Sequence, residues 1–463
     1  MSNNNSIGIH VFRRDLRIED NVALHLLSKQ VKYIVPIFIF DPFQIDITSE
    51  NKHYRSDPAV RIMIESLEDL NNHLDNKLHY FYGTPSDILQ KLIKSLKPTH
   101  VSYNADFSKY SLKRDKLMDN VCKKNDIELI KYMDDNCLNK MELYLNKDSI
   151  YKVFGAFYKH GIKVDVRDQV SKPTNFVKKS IDFIYKKDIH HFYDKSHNNL
   201  VKGGRTNALK ILHNLDKFKD YEQHRDLLVY NTTFLSTYLK FGCVSIVEVH
   251  DYMKKHKLTA LIRQLYWRQF HFILSRFNYN DYDFSDDFFP NVKWKNDTKE
   301  AKALWSGNTG FPLIDAGVRQ LIESGYMHNR LRLYVSNFAI KVLHQNPFDN
   351  IWGGQVQFSK MLIDACYANN YGNWNNTLGP YDIPGYRYGK VNTKSGRIYD
   401  PTNFKRWDPK LEFIRKYIPE LKNIPDKDVF NWHKTYTKYD TKYIPITEYQ
   451  KRKEEWYILT RKN

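Results

Sequence analysis

Alternation between short apolar runs and amphipathic stretches is the feature that most constrains the fold of this chain. Over roughly the first 135 residues, helical periodicity is clearest in Pro58–Leu74 and Pro85–Leu96. Strand–helix alternation of this kind predicts a parallel sheet with helices on both faces and a binding crevice at the carboxyl ends of the strands. Five apolar runs are expected to form its strands: Ile7–Phe12, Tyr33–Phe40, Leu78–Tyr82, His100–Tyr103 and Ile127–Tyr132.

The rest of the chain changes to other patterns. From about Asp134 to Val201 it is polar and rich in Lys and Asn, which predicts a long connector. The predicted fold class is therefore α/β followed by all-α, with a Rossmann-like doubly wound sheet domain at 1–135, a connector at 136–200 and a helical domain at 201–463. Helices are expected at Ser245–Lys255, Leu258–Phe277, Pro312–Ser324, His328–Leu343 and from Gly353 to about Tyr367, followed by a Gly/Pro/Asn-rich segment.

Charge and cysteine usage narrow the function classes. The 463 residues include 72 Lys and Arg against 53 Asp and Glu, a net charge of +19, which favours a polyanionic partner such as nucleic acid. No apolar run approaches the ~20 residues of a spanning helix, and no signal peptide is recognisable. Four dispersed cysteines predict a reducing compartment, so we expect an intracellular protein, cytoplasmic or nuclear, without a metal site.

Three stretches have both a chemical and a structural interpretation. The hydroxyls of 231–236, at a helix start, could hold a phosphate or simply cap the helix. Gln264, Trp267 and Arg268 share one helix face, where they could bind a base or flavin ring, or form a core indole beside a surface arginine. The arginines of 326–333 could form a structural salt bridge or bind a ligand. No GxGxxG or P-loop sequence occurs.

Taken in order, eight stretches resemble the photolyase/cryptochrome family, from about Ile7 to Leu421. The resemblance implies an α/β antenna domain, a long connector and a helical domain that holds FAD in a U-shaped conformation, in agreement with the periodicity. The matching stretches are HVFRRDLRIEDN, YEQHRD, TTFLSTYLKFGCVS, RQLYWRQF, GFPLIDAGVRQL, GYMHNRLRL, MLID followed by NYGNW, and RIYDPTNFKRWDPKLEFIRKYIPEL.

The same resemblance implies which residues bind the cofactor. Asn370 takes the position that faces the reactive flavin nitrogen, where plant-type cryptochromes have Asp and insect light sensors have Cys; an amide there favours repair over signalling. Trp374, Trp352 and Trp294 are similar to the electron-transfer chain, although Trp352 needs a one-residue alignment gap, and Trp305 is interpreted as a packing residue. The remaining expected FAD contacts are Tyr221, Thr232, Thr233, Leu235, Ser236, Arg268 and the ion pair of Arg332 with Asp364.

The resemblance also implies a pocket for damaged DNA. Trp267 is expected to stack on a flipped-out pyrimidine dimer, and Gln264 and Asn329 to contact it. Repair then needs one electron from excited reduced flavin, with no general acid, nucleophile or metal. The other DNA-binding positions implied are Arg225, Arg330 and Arg397.

Several residues depart from the family patterns, and these differences bear on which DNA lesion the protein repairs. Gln264 stands where cyclobutane-dimer photolyases usually carry Glu, as it does in (6-4) photolyases and animal cryptochromes. The (6-4) enzymes, however, need histidines where this chain has Asn329 and Leu333. Asn376 replaces a second pocket tryptophan, and the surrounding NYGNWN resembles the DASH cryptochromes. We predict a deoxyribodipyrimidine photo-lyase for cyclobutane dimers; the alternative is a (6-4) photolyase or a cryptochrome photoreceptor, including the DASH type.

The last predictions concern the antenna chromophore and the binding partners. A second chromophore is expected, methenyltetrahydrofolate or a deazaflavin, but Ser108 stands where one branch has the carboxylate that holds the folate. The predicted partner is damaged DNA, without a membrane, and the protein is expected to be a monomer. About 40 residues follow Leu421, which disfavours a long-tailed cryptochrome.

Overall fold

The computed structural model describes residues 6–49, 52, 54–147, 149–277, 289, 291–378, 382–383, 386–387 and 398–460. Contacts between residues group the chain into two compact units. The first, here called the sheet unit, comprises Met1–Lys195, Val201–Lys219 and Thr233–Phe277; the second, the helical unit, comprises Ser196–Leu200, Asp220–Thr232 and Asn278–Asn463.

Five parallel strands form the sheet, in the order β3-β2-β1-β4-β5. The predicted fold class is confirmed, and each strand lies within one residue of its predicted bounds. The order reverses at β1, as in doubly wound folds, because successive crossovers leave β1 in opposite directions. The strands are β1 (Ile7–Phe12), β2 (Tyr33–Phe40), β3 (His79–Tyr82), β4 (His100–Asn104) and β5 (Glu128–Tyr132).

Two helices of the first half, α1 and α3, begin at side-chain caps. The Asn21 side chain accepts a hydrogen bond from the Leu24 amide at the start of α1, and Ser56 caps α3 ahead of Pro58 in its first turn. The helices are α1 (Val22–Ser28), α2 (Pro42–Ile45), α3 (Asp57–His73), α4 (Pro85–Leu96), α5 (Lys109–Lys124), α6 (Phe154–Gly161) and α7 (Arg205–Leu212).

In the second half, the described residues form helices and one antiparallel strand pair, β6 (Asp382–Ile383) and β7 (Tyr386–Arg387). No helix among the described residues is long and apolar enough to cross a membrane. The helices are α8 (Tyr221–His224), α9 (Leu235–Phe241), α10 (Ile246–Lys255), α11 (Thr259–Phe277), α12 (Lys299–Trp305), α13 (Pro312–Ser324), α14 (Asn329–Lys341), α15 (Gly354–Met361), α16 (Tyr367–Leu378), α17 (Glu412–Tyr417), α18 (Asp426–Phe430), α19 (Trp432–Thr435) and α20 (Tyr449–Leu459).

One expectation about this half was wrong. The sequence predicted a helix from Gly353 to about Tyr367 and an irregular Gly/Pro/Asn-rich segment beyond it. Instead, α15 ends at Met361 and a new helix, α16, begins at Tyr367. Burial overrides the weak helix propensity of Asn and Gly here, because Asn370 and Trp374 recur on one buried face that packs against α14 and α15.

The boundaries of the two compact units differ from the predicted domain boundaries at 135 and 200. Most of the predicted connector belongs to the sheet unit, and so do α9, α10 and α11. The first matching stretch, HVFRRDLRIEDN, is here called the N-terminal motif, and it bonds directly to the end of α9. The Leu16 amide donates to the Phe241 carbonyl at 3.0 Å, and the Arg17 guanidinium donates to the Gly242 carbonyl at 3.1 Å. These bonds anchor the helix that follows the predicted phosphate loop.

Candidate functional site

The predicted site residues fall into two groups, one in each unit. Arg397 lies outside the described residues. Among the residues that are described, no group of three His, Cys, Asp or Glu side chains could hold a metal ion. The sheet unit contains Thr233, Leu235, Ser236, Gln264, Trp267 and Arg268; the helical unit contains Tyr221, Arg225, Thr232, Trp294, Asn329, Arg330, Arg332, Trp352, Asp364, Asn370 and Trp374.

An ion pair joins α14 to the short segment between α15 and α16. The Arg332 guanidinium lies 2.9 Å from the Asp364 carboxylate, whose side chain is only 4% exposed. Arg332 also donates through Nε to the Met327 carbonyl at 2.9 Å. Burial alone would lower the pKa of Arg332, but the charge of Asp364 raises it overall. The pair therefore holds the charge of the partly exposed Arg332, 24% exposed, against a buried carboxylate of the helical unit.

Tyr326 connects the ion pair of Arg332 and Asp364 to Thr232 of residues 231–236, here called the hydroxyl loop. Its ring lies 5.3 Å from the guanidinium carbon of Arg332, and its hydroxyl is hydrogen-bonded to the Thr232 hydroxyl at 2.9 Å. Burial raises the pKa of Tyr326, so the phenol stays neutral. The sequence analysis missed this residue, although its place in the GYMHNRLRL stretch was a usable signal. Thr232, Arg332 and Asp364 are thus brought into one connected set.

The Asn370 amide is held in one orientation. Its Nδ2 group donates to the Gln355 carbonyl at 2.9 Å and to the Ser359 hydroxyl at 3.0 Å, and that hydroxyl itself donates to the Gln355 carbonyl at 2.9 Å. Reversing the amide would set one carbonyl oxygen against another, so the network assigns the orientation. Oδ1 of Asn370 remains as an acceptor, and no donor among the described residues occupies it.

Tyr221 and Arg225 stand at the two ends of the short helix α8. Burial raises the pKa of Tyr221. Arg225 is about one-third exposed and lies 3.2 Å from the carboxylate of Glu222 on the same turn. Such an exposed pair costs little to break, which leaves Arg225 able to exchange its partner for a phosphate.

The capping interpretation of the hydroxyl loop, residues 231–236, is wrong, because α9 begins after Phe234 and no side chain caps it. The Leu235 amide donates to the Thr233 hydroxyl at 3.4 Å, just after Phe234 takes a left-handed backbone with φ of 54°. The Thr233 hydroxyl thus bonds the first amide of α9 from two residues before it.

Three residues of α11 share the predicted face but have different surroundings. Arg268 is buried rather than at the surface: it donates to the Leu239 carbonyl at 3.4 Å and lies 4.1 Å from the centre of the Phe272 ring. The Gln264 amide donates to the Ala260 carbonyl one turn earlier at 3.2 Å. Trp267 is half-buried and stacks on an aromatic ring of the connector.

Asn329 and Arg330 begin α14. Asn329 is exposed, next to the capping residue His328, whose Nδ1 accepts a hydrogen bond from the Arg330 amide at 3.1 Å. The Arg330 guanidinium pairs with the carboxylate of Asp226 and lies 4.5 Å from the ring centre of Trp407. Asn329 is therefore the accessible member of the two, while Arg330 already has an anionic partner.

The tryptophans predicted to form the electron-transfer chain have different aromatic neighbours. Trp374 is 1% exposed, and its ring contacts that of Trp305 at 6.5 Å between centres. Among the described residues, Trp352 makes no ring contact with Trp374 or Trp294. Trp294 lies 6.3 Å from the buried Trp456. Trp305, interpreted from the sequence as a packing residue, is thus a direct ring neighbour of Trp374.

Ser108 acts as a helix cap in the structure. Its hydroxyl accepts a hydrogen bond from the Ser111 amide at 3.2 Å at the start of α5. Nearby, Tyr110 donates to Asp41 and stacks nearly parallel to Phe43, with 5.3 Å between ring centres. An aromatic face with an anionic neighbour lies there, without the carboxylate that one branch uses for folate.

Comparison with known proteins follows the same two-part organisation. Residues 8–173 match the family model described as DNA photolyase, and residues 261–456 match the FAD binding domain of DNA photolyase. A deoxyribodipyrimidine photo-lyase of Buchnera aphidicola subsp. Acyrthosiphon pisum is 29% identical, covering 91% of this chain and 89% of that protein. A cryptochrome DASH of Synechocystis sp. is 26% identical, covering 89% and 88%. The crystal structure of an archaeal photolyase from Sulfolobus tokodaii with two FAD molecules has a TM-score of 0.83 at 29% identity, covering 98% of this chain and 99% of that one.

Proposed function

The chain belongs to the photolyase/cryptochrome family, and on that premise we propose that it is an FAD-dependent DNA photolyase that splits cyclobutane pyrimidine dimers with blue light. Its C-terminal part is an FAD-binding domain. The competing activities in this family are repair of (6-4) lesions and light sensing by cryptochromes.

The orientation of the Asn370 amide is the observation that carries the proposal. Both Nδ2 hydrogens are engaged by Gln355 and Ser359, so the side chain can offer a flavin only an acceptor oxygen. An acceptor fits the N–H edge of a reduced flavin, and an amide has no acidic proton to give. Asn370 therefore favours a flavin kept electron-rich, which repair requires.

Other residues of the helical unit have roles that follow from their contacts. Arg332, fixed by Asp364, would place a positive charge toward the anionic form of the ring system, and Tyr326 would hold the Thr232 hydroxyl toward the phosphates. Bound reduced FAD would supply one photoexcited electron, which breaks the two carbon–carbon bonds of the dimer and then returns, so the reaction is redox-neutral.

The choice of lesion rests on the first turn of α14. Asn329 is exposed there, and Leu333, one turn later, is half-buried. Neither side chain can act as the acid or base that the (6-4) reaction requires, because an amide and an alkyl group do not titrate near neutral pH. Cyclobutane splitting needs only binding and electron transfer, which these residues permit.

A repair assay with four substrates tests the proposal. The reduced, FAD-containing protein is illuminated with oligonucleotides that carry one cyclobutane thymine dimer or one (6-4) product, each in single- and double-stranded form. We expect intact thymines from the cyclobutane substrates only, in the light only. Asn329→Ala should reduce lesion binding about tenfold while bound FAD is unchanged.

Each other outcome would lead to a different conclusion. Repair of the (6-4) substrate alone would identify the alternative lesion. FAD-containing protein that changes its spectrum in light but restores no thymine would indicate a cryptochrome and end the proposal. Unchanged lesion binding in Asn329→Ala would remove that residue from the site.

A further inference from the structure

Phe154, in the predicted connector, stacks face to face on Trp267. The ring centres are 3.5 Å apart and the planes are 8° from parallel, so the two rings overlap at van der Waals distance. Aromatic pairs usually prefer offset or edge-on arrangements with centres 4.5–7 Å apart. One face of the indole is therefore fully covered, and no base can enter between these rings.

Trp267 nevertheless remains half-buried rather than buried. The next rings, edge-on Phe270 and the more nearly parallel His271, each have their centres 6.0 Å from the indole and leave it partly exposed. Its remaining exposure therefore lies away from Phe154. The indole can accept a base on one side only.

The helix that carries Phe154 is itself firmly placed. Phe157 of α6 is fully buried and lies 5.3 Å from the Phe270 ring of α11, and Tyr158 packs edge-on against Tyr266 at 5.4 Å. Phe154 is only 5% exposed. Both helices belong to the sheet unit, so this packing fixes Phe154, and through it Trp267, before any substrate arrives.

We propose that Phe154 is a positioning residue for lesion binding: it backs Trp267 so that the indole presents one face, in one orientation, to the flipped-out dimer. The proposal rests on the proposed function, in which Trp267 stacks on the lesion. An indole held in advance loses less freedom on binding, which strengthens binding without a contact from Phe154 to the substrate.

Binding measurements in the dark on the full, FAD-containing protein test the proposal. Dissociation constants are measured for a dimer-containing oligonucleotide and for the same sequence undamaged. Phe154→Met keeps the volume but removes the flat ring, and we expect about tenfold weaker dimer binding with undamaged binding unchanged. Phe154→Tyr keeps the ring and should restore wild-type affinity. Gly155→Ala, on the same helix at a position where a Cβ meets nothing within 4 Å, should leave dimer selectivity unchanged.

A double-mutant cycle shows whether Phe154 acts through Trp267. Adding Phe154→Met to Trp267→Ala should weaken dimer binding less than twofold further. Wild-type affinity in Phe154→Met, an equal tenfold loss on the Trp267→Ala background, or the same selectivity loss in Gly155→Ala would overturn the proposal. Wild-type protein that does not distinguish damaged from undamaged DNA would instead contradict the proposed function.

Discussion

Single side chains in this protein gain their properties from burial more than from residue type. Ser359 and Gln355 turn an ordinary amide, Asn370, into a fixed acceptor. Neither contact could be found from the sequence, because Gln355 acts through its backbone carbonyl and both partners lie on a different helix from Asn370. Asp364 and Arg332 were predicted from the family pattern, and the structure brings them to 2.9 Å.

His328 gives a prediction about pH at this scale. Burial, helped by the charges of Arg330 and Arg332, lowers its pKa to about 4 from 6.5, so the folded protein keeps it neutral while the unfolded chain takes up a proton below pH 6.5. Stability should therefore fall as pH falls from 6.5 towards 4. His328→Asn keeps an acceptor that can cap α14 but cannot be protonated.

The measurement is the free energy of unfolding in urea at pH 7 and pH 5, for both proteins. His328→Asn should lose about 2 kcal/mol less than wild type between these values. Contributions from other titrating groups are common to both proteins and cancel in the difference. An equal loss in the two proteins would show that His328 is already protonated in the fold.

At the scale of elements, the clearest close approach between two backbone segments lies at the end of α9. Gly242 has a φ of 65°, and a Cβ there would lie 2.2 Å from the Arg14 carbonyl oxygen. That carbonyl belongs to the N-terminal motif that also binds the Gly242 carbonyl through Arg17. The first matching stretch of the sequence therefore holds the end of α9 in place.

Gly242→Ala should displace α9 and the hydroxyl loop before it. We expect a loss of about 2–4 kcal/mol in the free energy of unfolding, together with less bound FAD per chain. Gly155→Ala is the matched control, because a Cβ at Gly155 meets nothing within 4 Å. Urea unfolding and the flavin absorbance of purified protein measure both effects. Equal stability of the two variants would refute the close approach.

Elements also show what the sequence could predict. Strands were predictable almost to the residue because buried parallel strands are uninterrupted apolar runs. The helix α16 was not, since Asn and Gly are weak helix formers and only packing against α14 and α15 makes the segment helical. Phe154 was missed for a related reason: its contact with Trp267 joins distant parts of the chain.

For the whole molecule, charge and family agree on a nucleic-acid partner. A net charge of +19 favours binding to phosphates and implies strong salt dependence of that binding. Family resemblance predicted the cofactor and the residues expected around it, which composition and periodicity alone could not do, because this chain has no GxGxxG or P-loop sequence. The division at 135 and 200 stays a prediction, as does the second chromophore's identity.

The most direct test of the account counts dimers split per photon absorbed by the bound flavin. Reduced protein is mixed with single-stranded oligonucleotide carrying one cyclobutane dimer, illuminated at the flavin band for increasing times, and the restored thymines are counted by chromatography. The account predicts restored thymines that rise in proportion to absorbed photons, with none in the dark. Protein that contains FAD and binds the dimer, yet restores no thymine at any dose, would contradict it.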